Sequence, residues 1–350
     1  MALTPEAIQD IQERLVHAAR PLIFFDDDAD GLTSFLLTYT YNKNAIPLRA
    51  AMGPELKTDF KRYVDEHQPD LILVLDKPRA DPEFFKEVRT PTIWLDHHDP
   101  TVQEPHTWPY NHLTYYNPAL GNTEDHRPVA YWMRQVTNGP LWLATLGVTS
   151  DWDTSLLDAF REEHPALAPE TNDIHEALFN SPLGEIIRVL NFSLKGRTSA
   201  INKNLQALTK ITQPQELLET NTPASKHIHK HTKPLLKEYQ RQLQEALSSD
   251  EEEDLFVHVF EHIEQSFVAD IANELLIRTQ ANVIVVARND GKRVNLSMRS
   301  HDVELPPILE YALQTVDGYG GGHTNACGGS VAVTNWEEFL SRVKEQIPQD

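Results

Sequence analysis

Three short apolar runs in this chain end abruptly in residues that an apolar core does not accept. Pro21–Phe25 runs into Asp26-Asp-Asp-Ala-Asp30-Gly31, Leu71–Leu75 into Asp76, and Thr92–Leu95 into Asp96-His97-His98. Four or five apolar residues bounded by polar residues or proline read as buried strands. Strands without in–out alternation belong to parallel sheets covered on both faces. Open sheets of that kind bind ligands outside the carboxyl ends of their strands. The same three run ends thus constrain the fold and mark a polar site on it.

The surrounding pattern agrees with an α/β fold. Residues 6–19 are amphipathic, 46–52 form a further apolar run, and a helix is expected from Leu32 or Thr33. From about 115 to 210 the chain reads mainly as helices, including 129–136, 141–149 and 185–194. The expected architecture is a mostly parallel sheet flanked by helices over 1–195, a helical linker over 196–252, and a smaller mixed α/β domain over 253–350. The linker carries a helix at 234–247 and the acidic run Ser248-Ser-Asp-Glu-Glu-Glu-Asp254, read as a solvated boundary. In the last domain 255–260, 283–287, 294–299 and 330–333 read as strands and 267–278 as a helix. Asp290-Gly291 supplies the positive φ of a hairpin turn.

Composition narrows the function classes. At 350 residues there is room for two cores, and 40% hydrophobic content fits a soluble protein. No apolar stretch reaches the length of a membrane span, and residues 1–5 lack a basic-then-apolar leader pattern. The single cysteine, Cys327, excludes an internal disulfide framework and a cysteine-built zinc site. A reducing, cytoplasmic setting is the simplest reading. The net charge of −21 argues against electrostatic capture of long duplex DNA. It leaves a nucleic-acid substrate open, because metal ions in an acidic cleft receive phosphate.

If the strand direction continues past Phe25, Asp26, Asp28 and Asp30 project to one side, and Gly31 allows a tight turn into the helix. One aspartate would suffice as a helix cap; three on one side repel each other unless a cation lies between them. Asp151, closing the apolar segment 141–148, is a fourth candidate that by itself would be structural. Oxygen donors with imidazole and no thiolate suit Mn²⁺, with Mg²⁺ as the alternative, better than structural zinc. Four or more carboxylates exceed one ion's needs and point to two ions sharing a bridging aspartate.

In order and spacing, Asp26-x-Asp28-x-Asp30-Gly31, Asp76, Asp96-His97-His98 and Asp151 resemble the four motifs of the DHH phosphoesterase superfamily. Gly318-Tyr-Gly-Gly-Gly322-His323 resembles the glycine-rich motif of its DHH-associated C-terminal domain. The resemblance is closest to RecJ-like nucleases of the compact archaeal type. Pyrophosphatases and nano-RNA phosphodiesterases of the superfamily carry a histidine where this chain has Phe24, whereas Asp26 matches the RecJ-type acid. The resemblance implies an active site in the interdomain cleft. Asp28, Asp30, Asp76, His97 and Asp151 would hold two metal ions there, with Asp76 bridging. It makes Asp26 a ligand or hydrogen-bond partner, His98 the contact to the scissile phosphate, and Asp96 the residue that orients a histidine. The implied activity is exonucleolytic hydrolysis of single-stranded DNA or RNA, or of short oligonucleotides, to nucleoside monophosphates. Replication and repair proteins are the implied partners, and oligomeric state stays open.

The alternation of residues 294–299 places Asn295, Ser297 and Arg299 on one face of a strand, opposite Val294, Leu296 and Met298. The glycine run, with Gly320, Gly321 and Gly322, reads as a loop that offers unobstructed N–H groups to an anionic oxygen. By the resemblance, Arg299, Gly322 and His323 bind substrate phosphate. Other features keep plainer readings. His227, His229 and His231 lie in a solvated linker, Lys195, Arg197, Lys203 and Lys210 are helix-surface charges, and Trp94, Trp132, Trp142 and Trp152 are core. Cys327 is a small buried residue. Three competing functions remain. One is a cyclic dinucleotide or phosphoadenosine phosphate hydrolase. Another is a haloacid-dehalogenase-type phosphatase, which has no use for Asp96-His97-His98. The third is a non-catalytic replisome scaffold, in which ligand positions should have been lost.

Overall fold

The computed structural model describes residues 3–50, 53, 55–101, 103–120, 125–249, 254–261, 263 and 265–348. They divide into two compact units, Met1–Thr232 and Lys233–Asp350.

In the first unit, β1 (Pro21–Phe25), β4 (Leu71–Leu75) and β6 (Thr92–Leu95) are buried at every position. With β2 (Ile46–Arg49) and β7 (Leu113–Tyr116) they form a sheet of order β2-β1-β4-β6-β7, parallel throughout. A separate parallel pair joins β3 (Glu55–Leu56) to β5 (Arg79–Ala80). Adjacent residues of β1 serve opposite faces of the sheet. Leu22 and Phe24 pack with Phe60 and Val64, at and within α3 (Lys61–His67), and with Phe84 and Phe85 of α4 (Pro82–Glu87). Phe25 stacks instead on Phe35 of α2 (Ala29–Tyr41), ring centroids 5.5 Å apart. Phe24 is fully buried, its ring edge-on to Phe60 and Phe84 at 5.8 Å.

Helix α1 (Pro5–His17) begins with Thr4 as cap. Helices α5 (Val129–Thr137) and α6 (Leu141–Ser150) pack against α2 and each other. All of α6 up to Thr149 is buried, as a helix apolar on every side requires. The unit continues through α7 (Leu157–Glu163), α8 (Ile174–Phe179), α9 (Pro182–Ser193) and α10 (Thr198–Leu208). Helix α11 (Pro223–Leu247) starts in it and ends in the second unit.

The second unit has a mixed sheet formed by β8 (Leu255–Glu261), β9 (Val283–Asn289), β10 (Arg293–Ser300), β11 (Gly318–His323) and β12 (Ala326–Ala332). Its order is β11-β12-β10-β9-β8, and only β8–β9 is parallel. Helix α12 (Val268–Arg278) makes the crossover that parallel neighbours need. The hairpin turn has Gly291 at φ 89°. Buried and half-buried residues alternate along β10. Leu305 and Ile308 of α13 (Leu305–Leu313) and Phe339 of α14 (Trp336–Gln346) join its apolar side.

Several expectations need correction. Helix α2 starts at Ala29, three or four residues early, because the Asp28 side chain caps it. Residues 113–116 are a strand that runs into the start of the stretch expected to be mainly helical, and the 46–52 run is a strand only to Arg49; 51 and 52 lie outside the described residues. The expected linker helix at 234–247 begins at Pro223 and holds Pro234 inside it, so His227, His229 and His231 are helical. Positions 250–253 of the acidic run are outside the described residues. Trp152 is 40% exposed and not core.

Gly147 shows how closely α6 must approach α2. A Cβ there would stand 2.2 Å from Thr33 Oγ1, 2.6 Å from Ala130 Cβ and 2.9 Å from Asp30 Oδ1. Gly147→Ala is therefore expected to destabilise the chain by about 1–3 kcal/mol through overpacking, read as a lower midpoint in urea unfolding with an unchanged slope.

Candidate metal centre

The chain leaves β1 toward β2 on one side and β4 toward β6 on the other, so strand order reverses between β1 and β4. That is where an open α/β sheet has its crevice. β1, β4 and β6 are neighbours, so the residues that follow them share one edge. Main-chain bonds carry the ladder one step past the strands: Asp76 N–H donates to Leu95 O (3.0 Å) and Asp96 N–H to Tyr116 O (3.1 Å). Asp76 then turns sharply, at φ 59°.

Asp26, Asp28 and Asp30 do not project together as alternating strand residues. Asp28 is the extended N-cap of α2 and its Oδ1 accepts the Gly31 N–H at 2.9 Å. Asp30 lies in the first helical turn, fully buried, and accepts the N–H groups of Val129 (2.8 Å) and Ala130 (2.9 Å). These are orphan donors of α5, whose cap residue Pro128 offers none of its own side chain to them. A Cβ on Gly31 would meet the Asp26 backbone at 2.7–2.8 Å, so glycine is required for the helix to start this close to the strand. Asp26 turns to Lys77, whose Nζ is 2.7 Å away; Lys77 also donates to Gly53 O (2.7 Å) and Ala50 O (3.1 Å) and is fully buried.

His97 donates from Nδ1 to the His126 carbonyl (3.0 Å), which turns Nε2 inward. Nε2 stands 3.0 Å from Asp151 Oδ2 and 3.4 Å from Asp76 Oδ1. His98 Nδ1 is 2.7 Å from Asp96 Oδ1. Asp96 is buried and its other oxygen faces the Tyr115 hydroxyl at 3.4 Å; Asn117 ties Tyr115 (2.9 Å) to the His98 carbonyl (2.8 Å).

The structure thus brings Asp30, Asp76, His97 and Asp151 together, one donor atom from each lying within 4.8 Å of the others. It also brings together Asp76, His97 and His98. Asp28 is outside both sets, although the Asp151 charge reaches it. Burial first, then repulsion from Asp151 and Asp26, pushes the Asp28 carboxyl up to about 7. Burial and neighbouring carboxylates likewise hold Asp30 and Asp76 well above the usual range. Burial pulls His97 down, but contact with Asp151 and Asp76 outweighs it and keeps the imidazole well above its ordinary value.

Two buried atoms in this cluster, Asp76 Oδ2 and His97 Nε2, have no hydrogen-bond partner among the described residues. The nearby carboxylates approach Nε2 without forming an aligned bond. With Nδ1 committed to the His126 carbonyl, His97 offers its Nε2 lone pair to a cation that displaces the Nε2 proton from between the two carboxylates. The donor set of carboxylates and one imidazole fits a divalent cation.

The other named residues belong to the second unit. Asn295, Ser297 and Arg299 share the half-buried face of β10. Arg299 donates from Nε to Asn273 Oδ1 (2.5 Å) and from Nη1 to Met298 O (2.8 Å). Gly318–His323 is an edge strand and not a loop: its pairing with β12 engages one side of its backbone. Gly320, Gly321, Gly322 and His323 are exposed on it. Lys77, Asn117 and Asn273 were not singled out from the sequence. Lys77 left one signal, a lysine directly after the strand-ending Asp76.

Residues 20–123 match the DHH family N-terminal domain and residues 252–349 the DHHA1 domain. The chain belongs to the DHH superfamily of phosphoesterases. Its fold is similar to that of RecJ from Thermus thermophilus in complex with Mn²⁺, at 17% identity and a TM-score of 0.66. The match covers 98% of this chain and 55% of that one, so this chain spans about half the length of that relative. It is also similar to an exonuclease RecJ bound to manganese (18% identity, TM-score 0.63), covering 99% of this chain and 97% of the other. A pGpG-specific phosphodiesterase from a Vibrio species shares the fold at 14% identity and a TM-score of 0.50, over 93% and 98% of the two chains. No curated protein sequence matches this chain.

The raised Asp28 makes the ion-free protein sensitive to pH in a defined direction. Folding that raises a carboxyl's pKa contributes no penalty below the unfolded value, near 4. The penalty grows as pH rises and is complete above the folded value, about 7. Chelator-treated protein should lose melting temperature from about pH 4 to about pH 7, and a divalent ion that displaces those protons should stabilise it more at the higher pH. Thermal melts with EDTA and with excess Mn²⁺ check this. A gap between the two curves that narrows with rising pH would count against the assignment.

Proposed function

We propose that this chain is a Mn²⁺-dependent phosphodiesterase that removes nucleoside monophosphates from an end of single-stranded nucleic acid or short oligonucleotides. The observation that carries the reading is the convergence of Asp30, Asp76, His97 and Asp151 with two buried donor atoms unpartnered. The relatives solved with Mn²⁺ support manganese, and the RecJ and pGpG phosphodiesterase folds support a nucleotidic phosphodiester. A net charge of −21 gives the chain no broad electrostatic grip on long duplex nucleic acid, which favours short or single-stranded substrates held locally. A scaffold without catalysis has no use for these buried carboxylates, whose mutual repulsion is costly.

Divalent ions held at such a site lower the pKa of water and neutralise charge on phosphoryl oxygens. The chain's own residues do the rest. Asp30 is locked by two N–H groups, Asp76 by the strand ladder, and His97 by the carbonyl that fixes its tautomer. Asp96 holds His98 by Nδ1, leaving Nε2 to donate to a phosphoryl oxygen as charge develops there. Arg299 is the second unit's candidate phosphate contact, its guanidinium oriented by Asn273.

Incubation of 5′- and 3′-labelled DNA and RNA oligomers with Mn²⁺, beside a cyclic dinucleotide and 3′-phosphoadenosine 5′-phosphate, tests the reading. Stepwise release of mononucleotides from one end of the oligomers is expected. Asp76→Asn should abolish it, and Asp96→Asn should lower it by about 10–100-fold, the usual cost of losing the support behind a metal-site histidine. Full activity in Asp76→Asn would place the chemistry elsewhere.

A further inference from the structure

Helix α6 ends in a motif that favours glycine and has tryptophan instead. Trp152 N–H bonds to Thr149 O (3.1 Å) and Asp153 N–H to Val148 O (3.2 Å), the paired bonds of a Schellman ending. Its left-handed position, commonly glycine, is taken by Trp152 at φ 63°. A bulky residue there is strained, and such strain persists where something other than folding selects the side chain. Packing does not account for the choice either. The ring meets His175 edge-on (5.7 Å) and lies tilted to Phe179 (6.1 Å), yet the residue is 40% exposed.

Trp152 lines an open pocket of about 770 Å³ together with Asp125, His126, Arg127, Asp151 and Asp153. Two of these residues also belong to the metal centre: Asp151 faces His97, and the His126 carbonyl holds the His97 ring. The lining has three carboxylates against one guanidinium, and Arg127 is already bonded to Asp125. A second phosphate is therefore repelled from this pocket. A flat, uncharged ring carrying amino donors suits it, with an aromatic face to stack on and carboxylates to accept.

We propose that this pocket is a nucleobase subsite, in which Trp152 stacks the base of the nucleotide whose phosphate is held at the metal centre. The inference rests on the phosphodiesterase reading and adds that the base, and not only the phosphate, is recognised. Bases with exocyclic amino groups are preferred.

Calorimetric binding of AMP and of ribose 5-phosphate to the Mg²⁺-loaded protein tests it without hydrolysis. AMP should bind about 10–100-fold more tightly, the range expected for one stacked base. Trp152→Gly should bring AMP down to the affinity of ribose 5-phosphate while leaving the latter unchanged. Trp152→Phe should keep most of the preference. Equal affinities in the native protein, binding of neither compound, or a preference that survives in Trp152→Gly overturns the subsite. A protein that shows the preference yet cleaves no oligonucleotide refutes the proposed reaction and keeps the subsite. One that cleaves without the preference does the reverse.

Discussion

The constraint behind the first unit is repulsion among carboxylates brought to one edge of a parallel sheet. Asp28, Asp30 and Asp76 are all held high in pKa by burial and by repulsion from Asp151; Asp26 adds to this at Asp28, Asp28 at Asp30, and Asp28 with Asp30 at Asp76. Isolated carboxylates would move apart or into water; here backbone bonds prevent it. Asp76 and Asp96 sit one residue past strands whose ladder continues through their own N–H groups. Asp30 is pinned by the first turn of α5 and so couples the centre to helix packing. Gly31 lets α2 start against the Asp26 backbone, and Gly147 lets α6 close onto Thr33 and Asp30 of α2 and Ala130 of α5. The clustered carboxylates are thus held at strand and helix ends, and His97 is held by the carbonyl of His126 in the segment before α5.

Lys77 separates two kinds of acid within this constellation. Its ammonium has three hydrogens and three acceptors, Asp26 Oδ1, Ala50 O and Gly53 O, and no exposed surface. Asp26 therefore has an internal counter-ion. Asp76 Oδ2 has no hydrogen-bond partner among the described residues, and His97 Nε2 faces anions without an aligned bond. The need for an external cation is concentrated on those atoms. In a low-dielectric setting an unpaired charge is costly and a paired one tolerable, so the partner of each carboxylate tells ligand from support better than its place in a motif.

This also explains what could be read from the sequence. The apolar runs Pro21–Phe25, Leu71–Leu75 and Thr92–Leu95 became strands with the expected bounds, because burial on both faces leaves a continuous signal. β7 was missed: Leu113-Thr-Tyr-Tyr116 mixes polar and aromatic residues, and two of its four positions are only half-buried. The Asp-rich turn misled by period. Alternation holds only while the backbone is extended, and Asp28 ends it by capping α2. The glycine run misled by composition, since glycine-rich segments usually mark loops, but pairing with β12 keeps it extended. Lys77 and Asn117 act through three-dimensional neighbours 51 and 19 residues away along the chain, and no local pattern shows such a contact.

Backbone conformation distinguishes structural from functional choices in the same way. Among the described residues, Gln68, Asp76, Asn138 and Trp152 are the non-glycine residues at positive φ. Gln68 and Asn138 close α3 and α5, and there the left-handed turn is the common way to stop a helix. Asp76 closes no helix: its turn takes a carboxylate out of the strand's alternation and into the cluster. Trp152 does end a helix, yet it is a residue type that the ending disfavours. A sequence is expected to break local rules where function overrides them. The two breaks without a folding explanation border the metal centre and the pocket that shares Asp151 with it.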